Sequence, residues 1–107
     1  MTYWIAPSVS VIPTPEIIFR HVESVCDVTF EELAGKCRHR HIVDARHLAN
    51  YFIKTYSKFL TLKEIGKLTN RDHSTVLHSL KCYNSLIATE LPFKHKHNLI
   101  EAKIKQI

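Results

Sequence analysis

The chain has 107 residues, enough for one domain with one modest core, and 45% of them are apolar, too many for a disordered tail. Only two glycines occur, Gly35 and Gly66, which excludes a phosphate-binding P-loop and a dinucleotide fingerprint, because each needs two or three glycines in one short run. The net charge of +5 is unevenly spread: residues 1–35 carry one arginine against five carboxylates (−4), residues 36–81 carry ten Lys/Arg against three (+7), and residues 82–107 carry four lysines against two (+2).

A basic middle behind an acidic start is an electrostatic footprint suited to a polyanion. The first positive side chain is Arg20, so no basic leader is expected, and no apolar run approaches the ~20 residues of a membrane span. Three widely spaced cysteines, Cys26, Cys37 and Cys82, read as reduced thiols in a cytoplasmic protein rather than as a disulfide framework.

Residues 1–15 contain three prolines and no charge, and they read as an extended arm on which Tyr3, Trp4 and Ile5 are free to pack on the domain or on a partner. From residue 16 onward the pattern is helical. Pro15 suits a first helical position behind Thr14 as N-cap, with Ile18, Val22 and Val25 on one face through about Cys26. Thr29-Phe-Glu-Glu32 is a capping box with Val28 and Leu33 as its staple, and Gly35 ends that short helix. Residues 36–43 read as a basic loop, with Asp44 as N-cap of a strongly amphipathic helix bearing Ala45, Leu48, Ala49, Phe52, Ile53 and Tyr56.

A second capping box, Thr61-Leu-Lys-Glu64, has Leu60 and Ile65 as its staple. Thr69-Asn70 then reads as a turn, and Asp72 or Asn70 as the cap of a longer helix with Val76, Leu77, Leu80, Tyr83, Asn84 and Ile87 inward. Pro92 is expected to break it, and a last helix from about Lys94 to Gln106 presents Ile100, Ile104 and Ile107. The predicted fold is therefore all-α, a compact domain of about six helices over residues 16–107.

Within it, a short capped helix, a tight polar turn and a longer helix form a helix-turn-helix from about Leu60 to Leu86. The second helix opens with Arg71, Asp72, His73, Ser74 and Thr75, short or polar residues able to hydrogen-bond base edges, before apolar residues resume at Val76.

These residues carry a family resemblance. Ile65-Gly66 followed by Arg71-Asp72-His73-Ser74-Thr75-Val76-Leu77-His78 resembles the signature of the C-terminal DNA-binding domain of the bacterial replication initiator DnaA, whose architecture is Trp-repressor-like. The likeness extends to the basic loop Lys36-Cys-Arg-His-Arg40 and to Arg46, and covers about Ile17 to the C-terminus. It implies that Asp72, His73, Ser74 and Thr75 read bases in the major groove, that Arg46 enters the adjacent minor groove, and that Lys36, Arg38, Arg40, Lys63, Lys67 and Arg71 pair with phosphates. The sequence departs from the family where Asn70 stands alone in place of a Gly-Gly turn, making the turn one residue shorter, and where Asp44-Ala45 replaces an Arg-Pro pair. No ATPase module is expected within these 107 residues, so the resemblance is to the reader without the motor.

Other chemistries fit less well. Asp72-His73-Ser74 holds the residue types of a hydrolase triad, but consecutive helical side chains project about 100° apart and do not converge, so no enzyme is expected. Cys37, His39 and His41 match no common zinc spacing, and His95 and His97 read as surface residues; no metal, cofactor or nucleotide is expected. The predicted partner is double-stranded DNA, with replication or regulatory proteins beside it and no membrane, in a cytoplasmic, nucleoid-associated protein that regulates replication initiation or transcription. A second reading makes the chain an adaptor whose Tyr3-Trp4-Ile5 arm docks a partner, and a third has its ATPase supplied by a separate chain.

Overall fold

Six helices, joined by short connections and with no strand among the described residues, make up the computed structural model, which describes residues 13–105. The Tyr3-Trp4-Ile5 arm and the end of the predicted last helix at Gln106 and Ile107 lie outside those residues. Helix α1 spans Pro15–Cys26, α2 Phe30–Ala34, α3 Arg40–Tyr56, α4 Leu62–Leu68, α5 His73–Thr89 and α6 Leu91–Ile104.

The local start signals act as their chemistry dictates. Thr14 caps α1 by accepting from the Ile17 N–H, with Pro15 just inside the helix. Both capping boxes close: Thr29 accepts from the Glu32 N–H at 3.1 Å while Glu32 accepts from the Thr29 N–H at 2.9 Å. Thr61 and Glu64 do the same at 3.1 and 2.9 Å. Each box satisfies two N–H groups that a helix start otherwise leaves without partners.

Helix α3 is the spine, packing against α1, α2, α4 and α5. Its Ile42, Ala45, Leu48, Phe52 and Ile53 are buried with Ile18 and Val22 of α1, Leu33 of α2, Ile65 of α4, Val76 of α5 and Ile100 of α6. Burial of each large side chain of this set contributes about 1.5–3 kcal/mol.

The structure corrects three boundaries or faces. Helix α3 begins at Arg40 rather than after Asp44, behind His39, which provides no side-chain cap. The basic loop is thus 36–39, and Asp44 is a helical residue 3.6 Å from Arg40. Helix α6 begins at Leu91, not near Lys94, because Pro92 falls in its first turn, where a missing N–H is without cost. On α5, Leu77 (43% exposed) and Asn84 face outward, and the inward stripe is Val76, Ser79 and Tyr83 with Leu80, Leu86 and Ile87 half-buried.

His97 is also corrected, being buried rather than on the surface. Its Nδ1 lies 3.0 Å from the Tyr83 hydroxyl and its ring stacks on Phe52, while Tyr83 stacks on Tyr51 with centroids 3.9 Å apart. This aromatic cluster pins α6 to α3 and α5.

Candidate nucleic-acid interface

The candidates carried by α4 and α5 gather where one helix turns into the other, whereas Arg40 pairs with Glu90 at the opposite end of α5. Helix α4 ends in a Schellman closure: the Arg71 N–H donates to the Gly66 carbonyl at 2.8 Å and the Asn70 N–H to the Lys67 carbonyl at 3.4 Å. Asn70 takes the left-handed conformation this closure requires, with φ 58°, so one asparagine performs the turn. At Gly66 the backbone of α4 lies against the backbone of the Arg71-Asp72 segment, and a Cβ there would collide with the Arg71 carbonyl oxygen and sit 3.2 Å from that of Asp72.

Asp72 is the N-cap of α5, accepting from the Thr75 N–H at 2.8 Å. That hydrogen bond is the main reason its carboxyl is held below the usual carboxylate range. His73, Ser74 and Thr75 form the exposed first turn, while Val76, Ser79 and Tyr83 hold the same helix in the core. The helix thus offers hydroxyl, imidazole and carboxylate groups at an exposed, rigidly seated N-terminus, which is what contact with hydrogen-bonding edges demands.

The predicted phosphate-binding residues divide into three groups. Lys36 and Arg38 are exposed on the α2–α3 connection, and Lys63 and Lys67 on α4. Arg40 is exposed but pairs with Glu90 and Asp44. Arg71 is half-buried, and its guanidinium donates to the carbonyls of Ala34, Gly35 and Thr69.

Arg46 is likewise turned inward. Its Nε donates to the Leu33 carbonyl at 2.8 Å, and its Nη2 to those of Glu32 and Gly35, both at 2.9 Å. Two arginines therefore close the C-terminal end of α2, whose carbonyls have no intrahelical donors. Burial lowers both guanidinium pKa values, and for Arg46 the neighbouring Arg71 charge lowers it further. Arg46→Ala is expected to cost about 1–3 kcal/mol by leaving half-buried carbonyls without donors, read as a shifted urea midpoint. Unchanged stability, with affinity lost chiefly on A/T-rich duplexes, would instead mark Arg46 as a groove-reading residue.

Sequence reasoning missed one polar cluster beside this interface. The Ser79 hydroxyl, buried on α5, lies 2.6 Å from His47 Nδ1 and accepts from Asn50 Nδ2 at 3.0 Å. The Ser79 oxygen that accepts from Asn50 still has a hydrogen to donate and a second lone pair to accept with, so it pairs with His47 Nδ1 in either ring tautomer. Burial is the main cause that lowers His47 to about 4, with the charges of His78 and Arg46 adding to it, so the ring is neutral at pH 7. The available signal was Asn50 and Ser79 standing in otherwise apolar stripes.

A short capped helix, a left-handed turn and a longer helix with an exposed polar start make this a helix-turn-helix protein. The chain belongs to the family described as the bacterial dnaA protein helix-turn-helix, which it matches over residues 15–82. It is 40% identical over 80 residues to the chromosomal replication initiator protein DnaA of Flavobacterium psychrophilum, covering 74% of this chain and 16% of that protein. The DnaA of Bacteroides thetaiotaomicron is 36% identical over 81 residues (75% of this chain, 17% of that protein), and that of Kosmotoga olearia 39% over 66 (62% and 14%). The chain thus spans only 14–17% of the length of these relatives. Among the described residues no helix is long and apolar enough to cross a membrane.

Proposed function

We propose that the chain binds double-stranded DNA sequence-selectively, laying the first turn of α5 in the major groove, and that it acts at initiator-type sites to regulate replication initiation or transcription. The observation that carries this is the pairing of an exposed polar turn, Asp72–Thr75, with an anchored helix body, Val76–Tyr83, in a chain of the DnaA helix-turn-helix family. His73, Ser74 and Thr75 contact base edges, and the Thr75 methyl suits a thymine methyl. Asp72 contributes the carboxylate oxygen that the cap does not use.

Lys36, Arg38, Lys63 and Lys67 hold phosphates on either side, and Arg40 joins them by exchanging Glu90 for the DNA backbone. Arg46 and Arg71 fix α2 and its basic connection against the start of α5. No catalytic step is assigned to any of these residues.

The test is base preference. His73→Ala or Thr75→Ala is expected to lose about 1–3 kcal/mol of discrimination at one base position while leaving the melting temperature within a few degrees of the parent. Fluorescence anisotropy on single-base variants of a preferred duplex measures it; an unchanged preference profile in both variants removes these residues from the reading surface.

A further inference from the structure

Between α3 and α5, behind the base-facing turn, lies a cavity of about 140 Å³ whose lining includes Arg46, His47, Arg71, Thr75 and His78 but no carboxylate. Arg46 and Arg71 share the Gly35 carbonyl, so two guanidinium groups meet there at half-buried depth. Among the described residues neither forms an ion pair with a carboxylate, and Arg46 Nη1 and Arg71 Nε donate to no protein acceptor. Two neighbouring cations withdrawn from water without a counter-ion form a site whose repulsion an anion relieves.

We infer that this cleft seats a backbone phosphate of the bound duplex, and that seating the phosphate places a proton on His47. The inference rests on the duplex-binding reading above. The groups facing His47 are Arg46 on its own helix, His78 with the Thr75 and Ser79 hydroxyls on α5, and Arg71 on the α4–α5 connection. All the charges in this set are positive, so in the free protein they disfavour an imidazolium.

A phosphate reverses that balance, because its negative charge favours the protonated ring. The polar cluster accommodates the change: His47 Nδ1–H then donates to Ser79 Oγ, which already accepts from Asn50. The proton comes from solvent, and no covalent bond forms. A bound state that holds a proton the free state lacks has an affinity that rises as pH falls.

Duplex affinity is to be measured by anisotropy at pH 7.5 and 5.5, at fixed ionic strength, on a duplex enriched from a random library. The full chain is expected to bind about tenfold more tightly at pH 5.5, and His47→Gln, which keeps a polar group beside Ser79, to lose most of that gain. The slope of log affinity against log salt at pH 5.5 should also be steeper by about 0.9 in the parent than in His47→Gln, as one more cation meets a phosphate. Equal pH dependence in the two proteins overturns the inference and leaves duplex binding standing. A cleft that serves free phosphate instead shows a melting shift with sodium phosphate that His47→Gln abolishes, together with equal pH dependence on the duplex, and this also overturns it. Absence of duplex binding at either pH removes both the inference and the reading beneath it.

Discussion

Gly66→Ala is expected to be the most damaging single-atom-group change in the chain. The added methyl meets backbone, not the end of a flexible side chain: Arg71 carbonyl oxygen in hard contact, Arg71 carbonyl carbon at 3.1 Å and Asp72 carbonyl oxygen at 3.2 Å. The Gly66 carbonyl also accepts from the N–H groups of Thr69 and Arg71, so the turn is unable to slide away without losing the closure of α4. Relief requires α4 and the start of α5 to separate, which opens the core that buries Ile65 and Val76 and displaces the Asp72 cap. Overpacking of this kind costs about 1–3 kcal/mol when side chains yield, and backbone contact places the cost at or above the upper end. At about 4–8 °C per kcal/mol for a domain of this size, the melting temperature should fall by roughly 12–24 °C. Helix propensity alone predicts the opposite sign, since alanine is favoured over glycine by about 1 kcal/mol inside a helix. A calorimetric scan decides: a variant as stable as the parent would show that the two helices do not meet as closely as Gly66 requires.

Raising salt from 50 to 200 mM is expected to weaken duplex binding roughly 10²–10³-fold. Lys36, Arg38, Lys63 and Lys67 are exposed and have no carboxylate partner among the described residues, and Arg40 exchanges Glu90 for phosphate. With four or five phosphates neutralised at −0.9 per contact, the slope of log affinity against log salt is about −3.6 to −4.5. Lys67→Ala should make that slope shallower by about one and weaken all sequences alike, since a phosphate contact carries no base information. Binding that ignores salt would show that these cations do not face the duplex.

Much of the fold was legible in the sequence because its start and stop signals are local. Thr29 with Glu32, and Thr61 with Glu64, complete their hydrogen bonds within four residues, so the motif and the geometry are nearly the same statement. Asn70 is similar: its tolerance of positive φ is a property of one residue, and the structure uses it.

What the sequence hid depends on partners far along the chain. Arg40 enters α3 in the company of Glu90, fifty residues away, and Ile42 enters with the core, so Asp44 is a helical residue instead of a cap. Pro92 looked like a stop for α5 and lies instead in the first turn of α6, with only Glu90 between the two helices. Ser79 and Asn50 are polar residues in apolar stripes because each is the other's partner across α3 and α5. Arg46 shows the same limit at the candidate site. Nothing within its own helix reveals that the open end of α2 waits for a donor, and the three carbonyls it serves lie eleven to fourteen residues earlier.

The central claim, that the first turn of α5 reads a DNA sequence, is tested most directly by selection from a random duplex library with the full chain. The account predicts enrichment of one short sequence by the parent protein, with His73→Ala and Thr75→Ala relaxing single positions within it. Recovery of no common sequence, from a folded protein at low salt, would contradict it and favour a chain that only anchors on DNA while its arm docks another protein.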